Sequence, residues 1–319
     1  MSSDQRFDAS EFESARSGDH QAFQRLVKPY EAELKRHCYR LIGSFDDAED
    51  VVQETFLRVW KHLESYEEKG SFRGWLYRIA TNRALDLLRS AYRRSEVVNT
   101  ASEPEWLQPF PDASIDLVGD EVIASERIGL AFVVALQHLT GRQRAALLLC
   151  DVLGFSPKET ASVLETSVAA SNSLLQRARG KMNSLDLPPS PNLTLDAERQ
   201  LVDQFTSAWS TGDTAGMVAL LGSSAHLTMP PHKMEVLGAS TIVAKLLDED
   251  WFASYNSVRF VPVSANGQAG LAAYVLVDGL LQRHCLMFFA SDGNSFQKIT
   301  GFTEDRVFDL LDLPKEPSQ

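Results

Sequence analysis

The stretch from Asp46 to Arg89 constrains the fold of this chain most strongly. It reads DDAEDVVQETFLRVWKHLESYEEKGSFRGWLYRIATNRALDLLR. Its first half is acidic and its second half mixes aromatic and basic residues, and both halves place apolar residues at the period of a helix. Two amphipathic helices with different exposed surfaces are therefore predicted. This pairing suits a protein that binds a large partner through one surface and nucleic acid through another.

The charge along the chain is uneven. The 319 residues carry a formal net charge of −12, which argues against a protein that binds DNA over its whole surface. Residues 101–126 have seven acidic and no basic side chains, residues 127–182 have seven basic and three acidic, and residues 183–319 have eight basic and sixteen acidic. A basic segment between acidic ones is typical of a nucleic-acid module attached to other domains.

The acidic helix is predicted to run to about Trp60 from an N-cap at Asp46, with Glu49 completing a capping box. Its buried stripe consists of Val51, Val52, Thr55, Phe56 and Val59. The polar residues outside that stripe are Asp47, Asp50, Gln53, Glu54 and Arg58. These five form either a solvated surface or the binding surface for a partner.

The basic helix, which Ser71 is predicted to cap, carries the first group of candidate DNA contacts. Residues 69–94 contain seven basic side chains and one acidic one. Aromatic rings stack on unpaired bases, arginines bind phosphates, Asn binds adenine and Asp accepts a hydrogen bond from cytosine. The candidates are Phe72, Trp75, Tyr77, Arg78, Asn82, Asp86 and Arg89. Burial of Phe72 and Trp75 in a core is the alternative.

Residues 156–182, SPKETASVLETSVAASNSLLQRARGKM, predict a helix-turn-helix, in which a short and a longer helix meet at residues 165–167. The candidate DNA contacts of the second helix are Ser167, Ala170, Ser171, Ser173, Gln176, Arg177, Arg179 and Lys181. A helical hairpin without DNA-binding activity is the alternative.

After residue 196 the pattern changes to helices followed by strands. Two helices, near residues 197–210 and 214–221, precede short alternating runs separated by Gly and Asn-Gly turns. The predicted strands are residues 226–229, 257–264, 272–277, 282–290 and 296–302. They indicate an α+β domain. The apolar tail 307–313 either closes the core of this domain or packs on the helical domains.

Together these segments resemble an extracytoplasmic-function sigma factor of the sigma-70 class. DAEDVVQETFLRVW and the basic helix are similar to region 2, and LTGRQRAALLLCDVLGFSPKE with the helix-turn-helix is similar to region 4. The linker element EWLQPFPD resembles that of a subgroup with an extra domain, and LVDQFTSAWSTGDTAGMVALL resembles a SnoaL-like domain. The implied fold class is multidomain: all-α region-2 and region-4 domains, then a cone-shaped α+β SnoaL-like domain.

The resemblance implies a domain order and a set of partners. Region 2 is expected at 10–95, an acidic linker at 96–118, region 4 at 119–184, a proline-rich linker at 185–196 and the SnoaL-like domain at 197–313. Asp47, Asp50, Gln53, Glu54 and Arg58 would then bind the clamp helices of the largest subunit of RNA polymerase, and region 4 its flap. The region-2 candidates, with loop 65–71, would read the −10 promoter element, and the region-4 candidates the −35 element.

The C-terminal domain is expected to regulate rather than catalyse. Its polar candidates for a small-molecule pocket are His226, His232, Arg283, His284 and Asp292, and their spacing does not demand catalysis. The rival reading is a helix-turn-helix regulator fused to a ligand-binding or cyclase-like enzyme domain, which leaves residues 46–94 unexplained.

Cofactor, metal and membrane partners are not expected. Cys38, Cys150 and Cys285 are too far apart in sequence for a zinc motif. The chain starts with polar residues and has no apolar run approaching the ~20 residues that span a bilayer. We therefore expect a cytoplasmic protein.

Overall fold

A computed structural model gives the fold and describes residues 6–66, 71–94, 107–112, 129–185, 195–230, 232–248 and 258–317. The chain forms two compact units: Met1–Ala101 with Ala135–Leu185, and Ser102–Val134 with Asp186–Gln319. The expected boundaries at 95–96 and 118–119, and most of the second linker, lie outside the described residues. The domain limits therefore stay a prediction.

Helices dominate the described residues up to 185. They are α1 (Ala9–Arg16), α2 (His20–Ile42), α3 (Phe45–His62), α4 (Phe72–Arg94), α5 (Leu130–Gln137), α6 (Gly141–Leu147), α7 (Pro157–Val163) and α8 (Val168–Asn183). A π-helical turn, Leu148–Val152, continues α6. The predicted helix-turn-helix is confirmed as α7 and α8. None of the helices among the described residues is both long and apolar enough to span a membrane.

The start of α3 differs from the sequence-based prediction. Asp46 is not the N-cap, because Ser44 caps the helix and its Oγ accepts a hydrogen bond from the Asp47 N–H at 3.2 Å. Gly43 ends α2 with a φ of 88°, so a single residue remains to cap α3. Asp46 instead lies in the first helical turn, where a carboxylate interacts favourably with the helix dipole. The predicted cap of α4 is confirmed, since the Ser71 Oγ accepts from the Gly74 N–H at 3.0 Å.

The helices of residues 9–94 and 135–185 pack into one unit. The ring of Phe155, just before α7, packs edge-on against Tyr77 of α4 at 5.2 Å, and the Arg73 guanidinium lies over both rings. The buried Arg144 of α6 donates to the carbonyls of Leu136 and of Leu41, the latter near the end of α2. Burial lowers the pKa of Arg144 to about 10, so it remains charged at neutral pH.

The second unit contains a six-stranded sheet with the order β2-β1-β6-β5-β4-β3. Its elements in chain order are α9 (Leu195–Thr211), α10 (Thr214–Ala219), β1 (Leu221–Met229), β2 (His232–Leu237), α11 (Ala239–Leu246), β3 (Val258–Ala265), β4 (Gln268–Val277), β5 (Leu280–Ser291), β6 (Phe296–Phe302) and α12 (Asp305–Leu310). Neighbouring strands are antiparallel except β1 and β6, which are parallel. Strand β2 and helix α11 were not predicted from the sequence.

Apolar side chains fill the space between the sheet and its helices. Phe205 and Trp209 of α9 pack with Phe289 and Phe296 from the sheet, and all four are almost fully buried. The alternation of strand residues turns Cys285, Met287 and Phe289 to this side. The interior is therefore packed with side chains.

The C-terminal tail belongs to this same unit. Phe308 of α12 is fully buried and packs against Tyr274 at 5.9 Å. Arg283 donates to the Asp309 carboxylate at 2.7 Å and to the Pro314 carbonyl at 3.2 Å. Of the two predicted roles for the tail, these contacts support closing the core of its own domain.

Candidate functional site

One side of α3 carries polar groups with no partner of their own. Asp50 and Gln53 are exposed, and neither side chain makes a hydrogen bond or ion pair to another described residue. Leu57, one turn further along, has 61% of its surface exposed, more than any other large apolar side chain described. These three residues lie at a spacing of three and four, so they share one side of the helix. Leu57 was not a sequence-based candidate, although it falls outside the predicted buried stripe.

The other three polymerase-contact candidates on α3 have different surroundings. The Glu54 carboxylate accepts two hydrogen bonds from Arg83 of α4, one of them Nη2 to Oε1 at 3.0 Å. This pairing holds the pKa of Glu54 below its usual range. Asp47 is half-buried at the start of the helix and Arg58 is exposed. Glu54 therefore joins two helices, and a partner would meet it already neutralised.

The exposed side of α4 brings together most of the −10 candidates. Arg78, Asn82, Asp86 and Arg89 recur at three- and four-residue steps on the side opposite the buried Leu76, Ala80 and Ala84. Trp75 lies on the same side and is half-buried. The arrangement forms a surface with cations, an amide and an aromatic ring.

Tyr66 extends this surface. It lies in loop 65–71, which was expected to read the −10 element, although its ring was not named as a separate candidate. Its ring packs on that of Trp75 with centroids 4.6 Å apart and planes at 32°. Both rings are partly exposed.

Two aromatic candidates of α4 are core residues. Phe72 is 2% exposed and packs against Phe12 and Tyr30, while Tyr77 is fully buried against His37 and Phe155. Neither ring can stack on a base from these positions. The assignment of these two rings to DNA is corrected, because the helix turns both toward the interior.

Arg78 is held by the helix-turn-helix. Its Nε and Nη2 donate to Oε1 of Glu165 at 3.0 and 2.7 Å. Glu165 lies in the turn between α7 and α8, with a φ of 49°. A candidate DNA contact of α4 is thus paired with a carboxylate next to the candidate DNA-binding helix.

The exposed side of α8 differs from the set expected from sequence. Ser171 is 1% exposed and packs inward with Leu175 and Ala178, so its assignment to DNA is corrected. The helical period places Ala169, Ser173, Gln176 and Gly180 on the opposite side and Asn172 at its edge. Ala169 and Asn172 are both exposed and were not among the predicted DNA contacts.

Four of the remaining α8 candidates already have intramolecular partners. The Ser167 Oγ caps the helix by accepting from the Ala170 N–H at 3.2 Å. Arg177 donates to the Ser173 Oγ at 2.8 Å, and Arg179 donates through Nε and Nη2 to the Asp151 carboxylate at 3.0 and 2.6 Å. The Asp151 pairing raises the pKa of Arg179. Lys181 is exposed.

The described linker residues 107–112 belong to the second unit. The Phe110 N–H donates to Oδ1 of Asn266 at 2.8 Å, and the Asn266 N–H donates to the Phe110 carbonyl at 2.8 Å. The Gly267 N–H donates to Oδ1 of Asp112, also at 2.8 Å. Phe110 itself is fully buried. The turn between β3 and β4 therefore binds the linker through its backbone.

The polar pocket candidates of the C-terminal domain have separate roles. His226 faces Glu235 across strands β1 and β2, His232 is bonded to Thr303, and Arg283 fixes the tail. Asp292 shapes a turn by accepting from the N–H groups of residues 294 and 295, which lowers its pKa.

His284 lies on the opposite side of the sheet from Cys285, and burial lowers its pKa. The five groups thus do not form a pocket lining. Within the described ranges, no cluster of His, Cys, Asp or Glu could hold a metal ion.

Family comparisons match both helical regions. The Sigma-70 region 2 family matches residues 26–94, and the Sigma-70, region 4 family matches residues 130–182. These ranges contain α3 with α4, and α7 with α8, the elements that carry the three candidate surfaces.

One similar protein covers nearly the whole chain, and another covers more than half of it. The ECF RNA polymerase sigma factor SigG of Mycobacterium tuberculosis strain H37Rv is 36% identical over 326 residues, which covers 94% of this chain and 85% of that protein. SigJ of the same strain is 34% identical over 203 residues, covering 61% of this chain and 62% of that protein. The crystal structure of Mycobacterium tuberculosis SigJ is 24% identical, with a TM-score of 0.64 over 97% of this chain and 100% of that one. That last likeness shows a shared fold, which confirms the predicted fold class.

Proposed function

Because the chain belongs to the ECF RNA polymerase sigma factors, and so binds core polymerase and promoter DNA, we propose which surfaces perform each task. In this proposal α3 contacts the clamp helices of the largest subunit, α4 reads the −10 element, and α8 reads the −35 element while region 4 contacts the flap. The protein acts in the cytoplasm as a transcription initiation factor and has no catalytic role.

The free polar groups of α3 support the polymerase contact. Asp50 and Gln53 are available to a partner without breaking any bond to another described residue, and Leu57 offers apolar area beside them. An exposed apolar anchor with polar neighbours is the usual composition of a protein interface. Glu54 contributes less, because its carboxylate is already bound by Arg83.

The stacked pair of Tyr66 and Trp75 supports reading of the −10 element. Bases that leave a melted duplex need a stacking platform, which contributes ~1–3 kcal/mol per base. Asn82 lies on the same side of α4 and can bind an adenine edge. Arg78 joins this surface once Glu165 releases it.

A binding titration with core polymerase, followed by in vitro transcription, tests the assignment of α3. The variant Asp50→Ala with Gln53→Ala should lower core affinity at least tenfold while the melting temperature stays unchanged. Asp203→Ala with Gln204→Ala is the matched control, since these two exposed residues lie on α9 in the other unit. Equal core affinity of the two double variants would remove α3 from the polymerase interface.

The bound linker supports control by the C-terminal domain. Residues 107–112 connect the two sigma regions in sequence, and the β3–β4 turn holds them by three hydrogen bonds. A linker that is bound in its middle cannot extend freely, so it limits how far the regions separate on a promoter. We favour this role over binding of a small molecule, because the interior of the domain is filled by apolar side chains.

A further inference from the structure

We propose that the side-chain amides of Gln176 and Asn172 on α8 read bases, and that each recognises an adenine in the −35 element. This inference rests on the proposed reading of DNA by α8 and adds residues and bases to it. Both residues are exposed, and neither amide makes a hydrogen bond to any other described residue. The two arginines that follow them are already held by partners.

The positions of the two amides on the helix favour contact with bases. They are one turn apart. Gln176 lies on the side away from the buried Ser171, Leu175 and Ala178, and Asn172 lies toward the edge of that exposed side. Arg177 lies around one side of the helix from Gln176 and Arg179 around the other, as the period of about 100° per residue requires. The neutral Gln176 between two cations fits a DNA groove, in which phosphates flank the base edges.

The spacing of the amides sets the spacing of the bases. Four residues of α-helix advance about 6 Å along the axis, and successive bases of one strand lie about 3.4 Å apart. The two side chains can therefore reach bases one or two steps apart. Two contacts at such a distance can be altered one at a time.

The bonds of the two arginines leave donors for phosphates. Arg179 uses Nε and Nη2 on Asp151, so both hydrogens of Nη1 stay available. Arg177 uses one hydrogen of Nη1 on Ser173. Both side chains are therefore pre-positioned for phosphate contacts, and the two amides are left to provide sequence selectivity.

Gly180 supplies an independent observation on the same side of the helix. A Cβ placed on Gly180 would meet no atom within 4 Å, so packing inside the protein does not require glycine there. A glycine inside a helix costs about 0.5–1 kcal/mol relative to alanine. A close approach of the DNA backbone to the helix, one turn beyond Gln176, explains this residue.

The chemistry of the amide selects the base. A Gln or Asn side chain can donate to N7 of adenine and accept from its N6 amino group, a pair of bonds worth about 1–3 kcal/mol against other bases. A carboxylate at the same position would lose the donor and accept instead from the N4 amino group of cytosine. The identities of residues 176 and 172 should therefore set the preferred base at two separate positions.

Selection from a promoter pool randomised over the −35 positions tests the assignment. The probe is holoenzyme assembled from the full chain and core polymerase. Holoenzyme with the wild-type chain should enrich adenine at two positions. With Gln176→Glu the enriched base at one of these positions should change to cytosine, and with Asn172→Asp the enriched base at the other should change to cytosine. The control Gln204→Glu, an equal charge change at an exposed residue of α9, should select the wild-type sequence.

Two further measurements keep the proposal open to refutation. Replacing the adenine assigned to Gln176 by 7-deazaadenine should weaken wild-type binding about tenfold and leave Gln176→Ala unaffected. Gly180→Ala should raise the melting temperature and yet weaken binding to the −35 duplex severalfold.

An unchanged selected sequence for either Gln176→Glu or Asn172→Asp would overturn the inference and leave the proposed function standing. Undiminished binding by Gly180→Ala would also contradict it, because the DNA would then not approach that side of α8. If wild-type holoenzyme enriches no −35 sequence at all, the proposed function fails together with the inference.

Discussion

His37 shows how a single buried residue sets a pH limit for region 2. Its ring is fully buried, Nε2 lies 2.9 Å from the Thr81 Oγ1, and burial lowers its pKa to about 3. In the unfolded chain the His37 imidazole takes up a proton near pH 6.5, whereas in the folded chain it stays neutral until about pH 3. The free energy of unfolding therefore decreases as the pH falls from 6.5 toward 3. At pH 5 this loss should reach about 2 kcal/mol.

The measurement compares denaturant unfolding of wild type and His37→Gln at pH 7.5 and pH 5. The variant is less stable at neutral pH but cannot take up the proton, so its unfolding free energy should fall less. Parallel losses in the two proteins would mean that another group controls the acid sensitivity.

Leu57 is the residue at which apolar area should matter most for polymerase binding. Leu57→Ser should reduce core affinity at least tenfold, because burying a leucine contributes about 1.5–3 kcal/mol. Leu237→Ser is the matched control, since Leu237 on β2 is 56% exposed and Leu57 is 61% exposed. Equal affinities of the two variants in a titration with core polymerase would show that Leu57 stays in solvent.

At the level of elements, the helical period predicted α3, α4 and the helix-turn-helix correctly. It did not decide which aromatic residues of α4 face the core, since Phe72 and Tyr77 have the residue type that stacks on bases and differ from Trp75 only in packing. The strand β2 was missed because an edge strand needs no continuous apolar run. The pairing of Arg78 with Glu165 joins residues far apart in sequence, so no local sequence pattern predicts it.

The contact between α4 and the turn of the helix-turn-helix gives a prediction at this scale. Glu165→Gln should raise the affinity of the free protein for a single-stranded −10 oligonucleotide about two- to fivefold, because exposed ion pairs contribute about 0–1 kcal/mol. The same substitution in an Arg78→Ala background should have no effect. A gain that persists without Arg78 would mean that Glu165 acts by general repulsion of DNA.

For the whole molecule, the linker contact should couple the C-terminal domain to promoter activity. Asn266 has a φ of 58°, so Asn266→Gly keeps the turn and removes the side-chain acceptor for the Phe110 N–H. Chymotryptic cleavage at Phe110 should become about fivefold faster, as loss of one hydrogen bond of ~1 kcal/mol implies. Transcription with core polymerase should rise in the same variant and in a 1–195 truncation. Cleavage and transcription at wild-type levels in both proteins would exclude control through the linker.

The parallel pairing of β1 with β6 has a consequence for the newly made protein. The sheet joins a strand that starts at Leu221 to one that ends at Phe302, so it cannot close until the ribosome has released the chain as far as Phe302. The helices that end with Asn183 emerge earlier, by on the order of 10 s at ordinary rates of synthesis. During translation each molecule therefore passes through an interval in which its promoter-reading half is complete and the domain proposed to restrain it does not yet exist.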